Sequence, residues 1–222
     1  MTTHASAAQI MRELLEGPVT RSALLRWRRQ QFLAKEGFGF YFGVFDSFAA
    51  ARAWLPPSPE FNHDALATEY VEVRTQQVFA YDYPVMWWLD RAFRHRARSV
   101  LDIGGSVGVH CYAYRLYIDM PPEVTWRVVE VPAIVSIGRK LTTERAAAEL
   151  IFTDNLEAAL ASAGADVWIS AGALQYMEDA RPSDLLKRSK EMPMHLLLNK
   201  LPLYEGDDFV TTQNIGEGSF AP

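Results

Sequence analysis

The stretch Leu101-Asp102-Ile103-Gly104-Gly105-Ser106-Val107-Gly108 carries the fold of this chain. Ser99-Val100-Leu101-Asp102-Ile103 is a short apolar run of strand character, and glycines end it abruptly. Val109, Tyr112, Ala113 and Leu116 then recur at helical spacing. A strand, a glycine turn and a helix in that order let the backbone come close to a ligand, since glycine has no Cβ to hold it away. The helix N-terminus favours a negative group on that ligand.

Two acids follow at the ends of later apolar runs. Glu130 closes Trp126-Arg127-Val128-Val129-Glu130, where a carboxylate accepts from ribose hydroxyls. Asp154 follows Ile151-Phe152-Thr153 and is placed to accept from an adenine amino group, with Asn155 as its neighbouring alternative. Loop, acid after the second strand and acid after the third together point to a nucleotide-type ligand. The spacing is D-x-G-G-x-x-G, with Asp102 two places before the first glycine. A dinucleotide fingerprint has G-x-G-x-x-G after an apolar residue. The unit also lies in mid-chain. Both points favour S-adenosylmethionine over a nicotinamide dinucleotide, the carboxylate of its amino-acid part being the group at the helix terminus.

Outward from the loop, strands are expected at 99–103, 125–130, 149–152, 166–170 and 194–199. Helices are expected near 107–118, 132–147, 155–163 and 182–190. Alternation of this kind builds βαβ units and a parallel sheet. Residues 6–36 read as two helices. Ile10, Met11, Leu14 and Leu15 mark the first, Gly17-Pro18 ends it, and Thr20 or Ser22 caps the second. Residues 37–48 are aromatic and glycine-rich, a run that needs a covering or a binding role. Asp46 or Ser47 is placed to cap a short helix over 49–53, and Pro56, Pro57 and Pro59 break the chain after it. Residues 61–95 read as helical in two parts, punctuated by Tyr81-Asp82-Tyr83-Pro84. The expected division is a helical or lid segment over 1–95 and a Rossmann-like α/β domain over 96–222.

Composition narrows the partners. The 222 residues are 49% hydrophobic and 22% charged, ordinary globular values, with a formal net charge of −5. An acidic balance weighs against nucleic acid as a partner. Arg26, Arg28 and Arg29 around Trp27 read as a solvated helix face rather than a patch for an anionic substrate or a membrane surface. The single cysteine, Cys111, supports no disulfide framework or multi-cysteine metal site and reads as a buried small residue. No His/Cys/Asp cluster has metal spacing, so no metal is expected. The first residues lack a secretion signal, and no run approaches the ~18 apolar residues of a membrane span. A soluble, cytoplasmic protein is the expectation; the oligomeric state is not legible.

Residues 100–108 resemble motif I of class I S-adenosylmethionine-dependent methyltransferases, with Glu130 at the motif II position. Phe42-Gly43-Val44-Phe45-Asp46-Ser47-Phe48, Asp82-Tyr83-Pro84-Val85-Met86-Trp87-Trp88-Leu89 and Ser170-Ala171-Gly172-Ala173-Leu174-Gln175-Tyr176 extend the resemblance. Together they are similar to a family of bacterial methyltransferases often linked to surface-polysaccharide biosynthesis, from about residue 36 to the end. The resemblance implies a seven-stranded sheet. Five strands are expected here, and 207–222 leaves no room for the closing helix and antiparallel pair. The fold is therefore read as C-terminally incomplete, with 194–199 as an exposed edge.

The expected cofactor-binding set is Asp102, Gly104, Gly105, Ser106, Gly108, Glu130, Asp154 and Ser170. In open α/β sheets the ligand lies at the carboxyl ends of the strands, which selects His110, Gln175, Tyr176, Asn199 and Lys200 and sets aside His195. His110, whose unperturbed pKa is about 6.5, is the candidate base, with Tyr176 beside it. Tyr81, Gln175 and Asn199 are the candidates for holding the acceptor, with Tyr81-Asp82-Tyr83 in a lid. Trp87-Trp88 reads as core. The expected activity is methyl transfer to a small molecule or glycan. The alternatives are an inactive binding module that keeps the fold and a nicotinamide-dependent oxidoreductase.

Overall fold

Short β-branched and apolar runs become strands wherever glycine, proline or a charged turn bounds them, and the longer amphipathic runs between become helices. The structure, a computed structural model, describes residues 17, 20–67, 70–162 and 164–222. The helix expected over 6–16 lies outside the described residues. The strands are β1 (Tyr41–Phe45), β2 (Ser99–Ile103), β3 (Thr125–Val129), β4 (Leu150–Thr153), β5 (Val167–Ala171), β6 (His195–Asn199), β7 (Val210–Gly216) and β8 (Ser219–Ala221). The α-helices are α1 (Arg21–Leu33), α2 (Phe48–Trp54), α3 (Tyr83–Arg94), α4 (Val109–Tyr114), α5 (Pro132–Glu144), α6 (Leu156–Ala161) and α7 (Pro182–Arg188). The chain divides into two compact units, one of residues up to 60 with Asp207–Pro222, the other Phe61–Gly206.

The larger unit holds the expected parallel sheet, in the order β4-β3-β2-β5-β6. All neighbours run parallel, with Val100 opposite both Trp126 and Val167. This is the Rossmann-like order. It reverses at β2, so the loop after β2 leaves from the topological switch point, where such sheets take their ligands. Trp126, Val128, Val100 and Ile169 are buried on the side that packs with α3 residues Leu89, Ala92 and Phe93. Leu101, Ile103, Trp168 and Leu185 fill the other side.

At the amino end of the sheet, Asp166 ties β2 to β5. Its Oδ2 accepts from the Arg98 and Ser99 N–H groups at 2.7 and 3.0 Å and from Ser99 Oγ at 2.9 Å. Burial raises this carboxyl, but the three donors outweigh it and hold it below its ordinary value. Its contribution is therefore present above the unfolded carboxyl pKa of about 3.9 and is lost as pH falls through the lower folded value. Asp166→Ala is expected to lower the unfolding free energy by about 1–3 kcal/mol at pH 7 through two orphaned N–H groups. Urea unfolding checks this, and the difference from the parent should vanish in acid.

Residues 61–95 belong to the sheet unit, so the compact units do not follow a boundary near 96. This stretch holds a 3-10 turn (Asp64–Leu66), a π-helical turn (Tyr70–Arg74) and α3, with Pro84 in the first turn of α3 as expected. Trp87 and Trp88 are not core. They are 53% and 50% exposed and meet edge to face at 4.6 Å, while Val85, Met86, Leu89, Ala92 and Phe93 face inward. Adjacent helical positions point about 100° apart, so the stripe that buries Leu89 and Phe93 turns both indoles outward.

Residues 207–222 carry strands that the sequence reading did not anticipate. β7 pairs antiparallel with β1 and with β8, forming a separate sheet in the order β1-β7-β8. The aromatic run 37–48 thus supplies β1. Its register shifts between Phe42 and Phe45, and Gly43 there has φ +83°. Such a bulge turns both phenylalanines to one face despite their odd spacing. Phe42, Phe45 and Trp54 cluster with Phe32 and Phe220, at centroid distances of 5.3–5.9 Å. Asn214 Nδ2 donates to the Phe32 and Ala34 carbonyls at 2.7 and 3.0 Å, closing the end of α1. Ser47 caps α2 by accepting from the Ala50 N–H. No helix among the described residues is long and apolar enough to cross a membrane.

Candidate active site

The loop after β2 is shaped by glycines in two ways. Gly104 has φ +74°, and a Cβ there would fall 2.1 Å from the Ala173 Cβ beyond β5. A Cβ on Gly105 would fall 2.4 Å from the Asp102 carboxylate. Gly108, at φ +90°, starts α4, and Ser106 accepts the left-handed conformation at φ +53°. The loop is thus folded down onto Asp102 and sideways against β5.

Asp102 is wholly buried. His110 Nδ1 lies 2.9 Å from its Oδ2, and the Trp126 indole N–H donates to the same oxygen at 3.1 Å. The carboxylate therefore sits beneath the loop, held from α4 and β3. His110 is 8% exposed. Burial pulls its imidazole down, yet the charge and hydrogen bond of Asp102 more than offset that, and it ends above its ordinary value. With Nδ1 committed, Nε2 is the ring atom left for chemistry.

Glu130 follows β3 and reaches back to the loop. Its Oε1 accepts from the Ser106 N–H at 3.0 Å and its Oε2 from Val131 N–H at 3.0 Å. Burial raises this carboxyl above its ordinary value, against the pull of the two N–H groups. The loop and the second acid, separate in sequence, are thus one bonded assembly at the switch point. Asp154 follows β4 and is exposed. Asn155 beside it is occupied as the N-cap of α6, its Oδ1 accepting from Ala158 N–H at 2.8 Å. Ser170 is buried, and its hydroxyl donates to the Ile103 carbonyl at 2.9 Å, clipping β5 to β2.

The loop after β5 carries Gly172, Gln175 and Tyr176. Tyr176 meets Phe61 edge to face at 4.8 Å. Gln175 Oε1 is buried with no hydrogen-bond partner among the described residues. After β6, Asn199 Nδ2 donates to the Tyr81 carbonyl at 2.8 Å, and Lys200 Nζ lies 4.5 Å over the Tyr81 ring. Asp82 accepts from Tyr114 OH at 3.1 Å and from Phe79 N–H at 2.8 Å, fixing this segment over α4. Gln175, Asn199 and Tyr81 therefore do gather at the carboxyl end of the sheet, with Lys200 among them. His195 stands at the amino end of β6, as expected. A cavity between Ser99, Thr125, Arg127 and Ser162 lies at the amino ends, the wrong side for a ligand in such a sheet. Cys111 is buried, its thiol pushed up to about 11 by that burial, which fits a small packing residue.

Sequence reading missed Arg74, Phe79 and Phe61, which join this end of the sheet from the segment before α3. Motif spacing holds no signal for them. A π-helical turn places Arg74, and such turns recur at functional sites.

No family model matches the chain, and no curated protein matches it. Among solved structures, an O-methyltransferase family protein from Burkholderia thailandensis is 18% identical with a TM-score of 0.41, the match covering 84% of this chain and 51% of that one. A SAM-dependent methyltransferase from Geobacter sulfurreducens, in complex with S-adenosyl-L-homocysteine, is 15% identical with a TM-score of 0.39, the match covering 58% and 51%. The matched regions span about half the length of those two proteins.

Proposed function

We propose that this chain binds S-adenosylmethionine at the end of β2 and transfers its methyl group to a small-molecule or glycan acceptor. The observation that carries the reading is the hydrogen bond between Ser106 N–H and Glu130 Oε1, which joins the glycine loop to the second acid at the switch point. The residues fit the cofactor. Gly104 and Gly105 let the loop lie tight over Asp102 and against Ala173, and Glu130 keeps lone pairs for ribose hydroxyls. Asp154 is open to the adenine side, while Asn155 is taken as a cap. When bound, the cofactor supplies an electrophilic sulfonium methyl. The chain's own task is then mainly alignment of an acceptor against it.

Asp102 acts here through the loop it supports and Ser170 through the strand pair it clips, so both are positioning residues for the cofactor. His110 Nε2 is the candidate to take the acceptor's proton, with Asp102 holding the ring; Tyr176 lines the acceptor side with Gln175, Asn199 and Tyr81. The resemblance of 42–48 and 82–89 to a family linked to surface polysaccharides supports a glycan as the acceptor. The burial of His110 and its tie to Asp102 favour the second reading, a binding module without a working base.

Titration calorimetry of the folded chain with S-adenosylhomocysteine tests the cofactor. One-site binding, with no thermal shift from NAD, is expected. A folded chain that binds no S-adenosylhomocysteine would overturn the reading. Incorporation of label from methyl-labelled cofactor into any extract component would eliminate the inactive module.

A further inference from the structure

Among the described residues, two cations at the carboxyl end of the sheet form no ion pair. Arg74 ends the π-helical turn, and its guanidinium carbon lies 4.2 Å from the Phe79 ring centroid and 5.7 Å from that of Tyr81. Lys200 approaches Tyr81 at 4.5 Å. The two rings are stacked at 5.6 Å and 6°, so both cations sit on one aromatic platform. Among the described residues neither makes a hydrogen bond or an ion pair through its charged head, and Arg74 Nε is buried without an acceptor. Asp82 is close by, but its oxygens are engaged by Phe79 N–H and Tyr114 OH.

Such an arrangement is costly in the free protein. A buried guanidinium N–H without an acceptor loses its hydration and gains nothing in return. Like charges also oppose one another: desolvation holds Lys200 below its ordinary value, the Arg74 charge adds to that, and Asp82 offsets only part. The aromatic faces stabilise the cations but leave their forward N–H donors open. Lys200 and Gln175 flank Gly172, since a Cβ there would lie 3.3 Å from Lys200 Cε and 3.8 Å from Gln175 Nε2. The unpartnered Gln175 Oε1 belongs to the same corner. β6 lies beyond β5 from the glycine loop, so this corner stands on the side of the sheet away from Glu130 and Asp154.

We propose that Arg74 and Lys200 form an anion-binding subsite that takes the carboxylate or phosphate of an acidic methyl acceptor, with Gln175 accepting from a neighbouring hydroxyl. The proposal rests on the methyltransferase reading for the word acceptor, but not for the anion. Arg74 offers a planar fork suited to either group, and Lys200 adds a point charge. The same chemistry is present in the amino-acid carboxylate of the cofactor, so the test separates the two sources.

Binding of inorganic phosphate to the full chain is followed by phosphorus NMR line width, and binding of S-adenosylhomocysteine by calorimetry. One phosphate site is expected, weakened at least about tenfold in Arg74→Gln and in Lys200→Met and retained in Lys200→Arg. S-adenosylhomocysteine affinity should stay within about twofold in all three variants. If it falls about tenfold in the charge-removing variants while 5′-methylthioadenosine, which lacks the amino-acid part, is unaffected, the acceptor assignment is overturned in favour of the cofactor's carboxylate. Phosphate that does not bind, or binds all variants equally, overturns the subsite itself. A chain that binds phosphate in this pattern but no S-adenosylhomocysteine keeps the subsite and loses the cofactor reading. Lys200→Arg and circular dichroism of each variant separate loss of the anion site from loss of fold.

Discussion

Asp102→Ala is expected to lower the unfolding free energy by about 3–5 kcal/mol, the range for removing one member of a buried charged pair. The carboxylate is wholly buried and answers two buried donors, His110 Nδ1 and the Trp126 indole N–H. Trp126, in β3, is itself fully buried, so solvent does not replace the lost acceptor. Asp102→Asn keeps the shape and one carbonyl oxygen and should cost about 1–2 kcal/mol. The pH dependence has a definite sign. His110 titrates above its ordinary value in the folded chain, so its pairing with Asp102 stabilises fully below the unfolded imidazole pKa of about 6.5 and fades as pH rises through the folded value. The gap between parent and Asp102→Ala should therefore be widest near pH 6 and narrow in alkali. Urea midpoints across pH measure it; a gap that widens with pH would show that His110 is not the partner that matters.

The strands of the parallel sheet were legible within a residue or two at each end. Each is a short, mostly apolar run bounded by glycine, proline or a charged turn, and the central β2, β3 and β5 pack on both faces, so local chemistry suffices to mark it. The loop and Glu130 were legible for a related reason: backbone approach and a carboxylate at a strand end are both local requirements. β1, β7 and β8 were not. β1 pairs with a strand near the other end of the chain, and Gly43 breaks the alternation that would have exposed its inward face. In β7, Thr211, Thr212, Gln213 and Asn214 read as loop residues, yet Thr211 and Thr212 bond to the Gly43 and Phe42 carbonyls and Asn214 closes α1. Side-chain hydrogen bonds of that kind do the work that apolar residues do elsewhere, and they leave no periodic trace. Ser170 carries the opposite lesson. A hydroxyl inside a motif reads as a ligand contact, while the structure gives it the Ile103 carbonyl. Arg74 was hidden because its value lies in Phe79, Tyr81 and Lys200, none of which it neighbours in a motif.

Glu130→Ala is the counterpart of Asp102→Ala and should behave in the opposite way. It is expected to weaken S-adenosylhomocysteine binding by about a hundredfold, the loss of two charge-assisted hydrogen bonds of roughly 1.5 kcal/mol each. The fold should hardly suffer. The carboxyl accepts from Ser106 and Val131 N–H groups, but its burial opposes its charge and raises its pKa, so in the free chain the gain and the cost lie close together. Glu130→Gln is expected to leave the unfolding free energy within about 1 kcal/mol of the parent. The raised pKa fixes two slopes of opposite sign. Proton binding favours the folded chain, so the stability due to Glu130 is greatest below the unfolded carboxyl pKa of about 4.3 and declines as pH rises through the folded value. Ribose hydroxyls donate to the ionised form, so affinity for S-adenosylhomocysteine rises over that same window. Calorimetry and urea unfolding on one set of samples read both slopes, and Glu130→Gln should flatten both. A variant that loses stability but keeps affinity would make Glu130 a loop support rather than a ligand, and Asp154 would then be the acid left to hold the nucleoside.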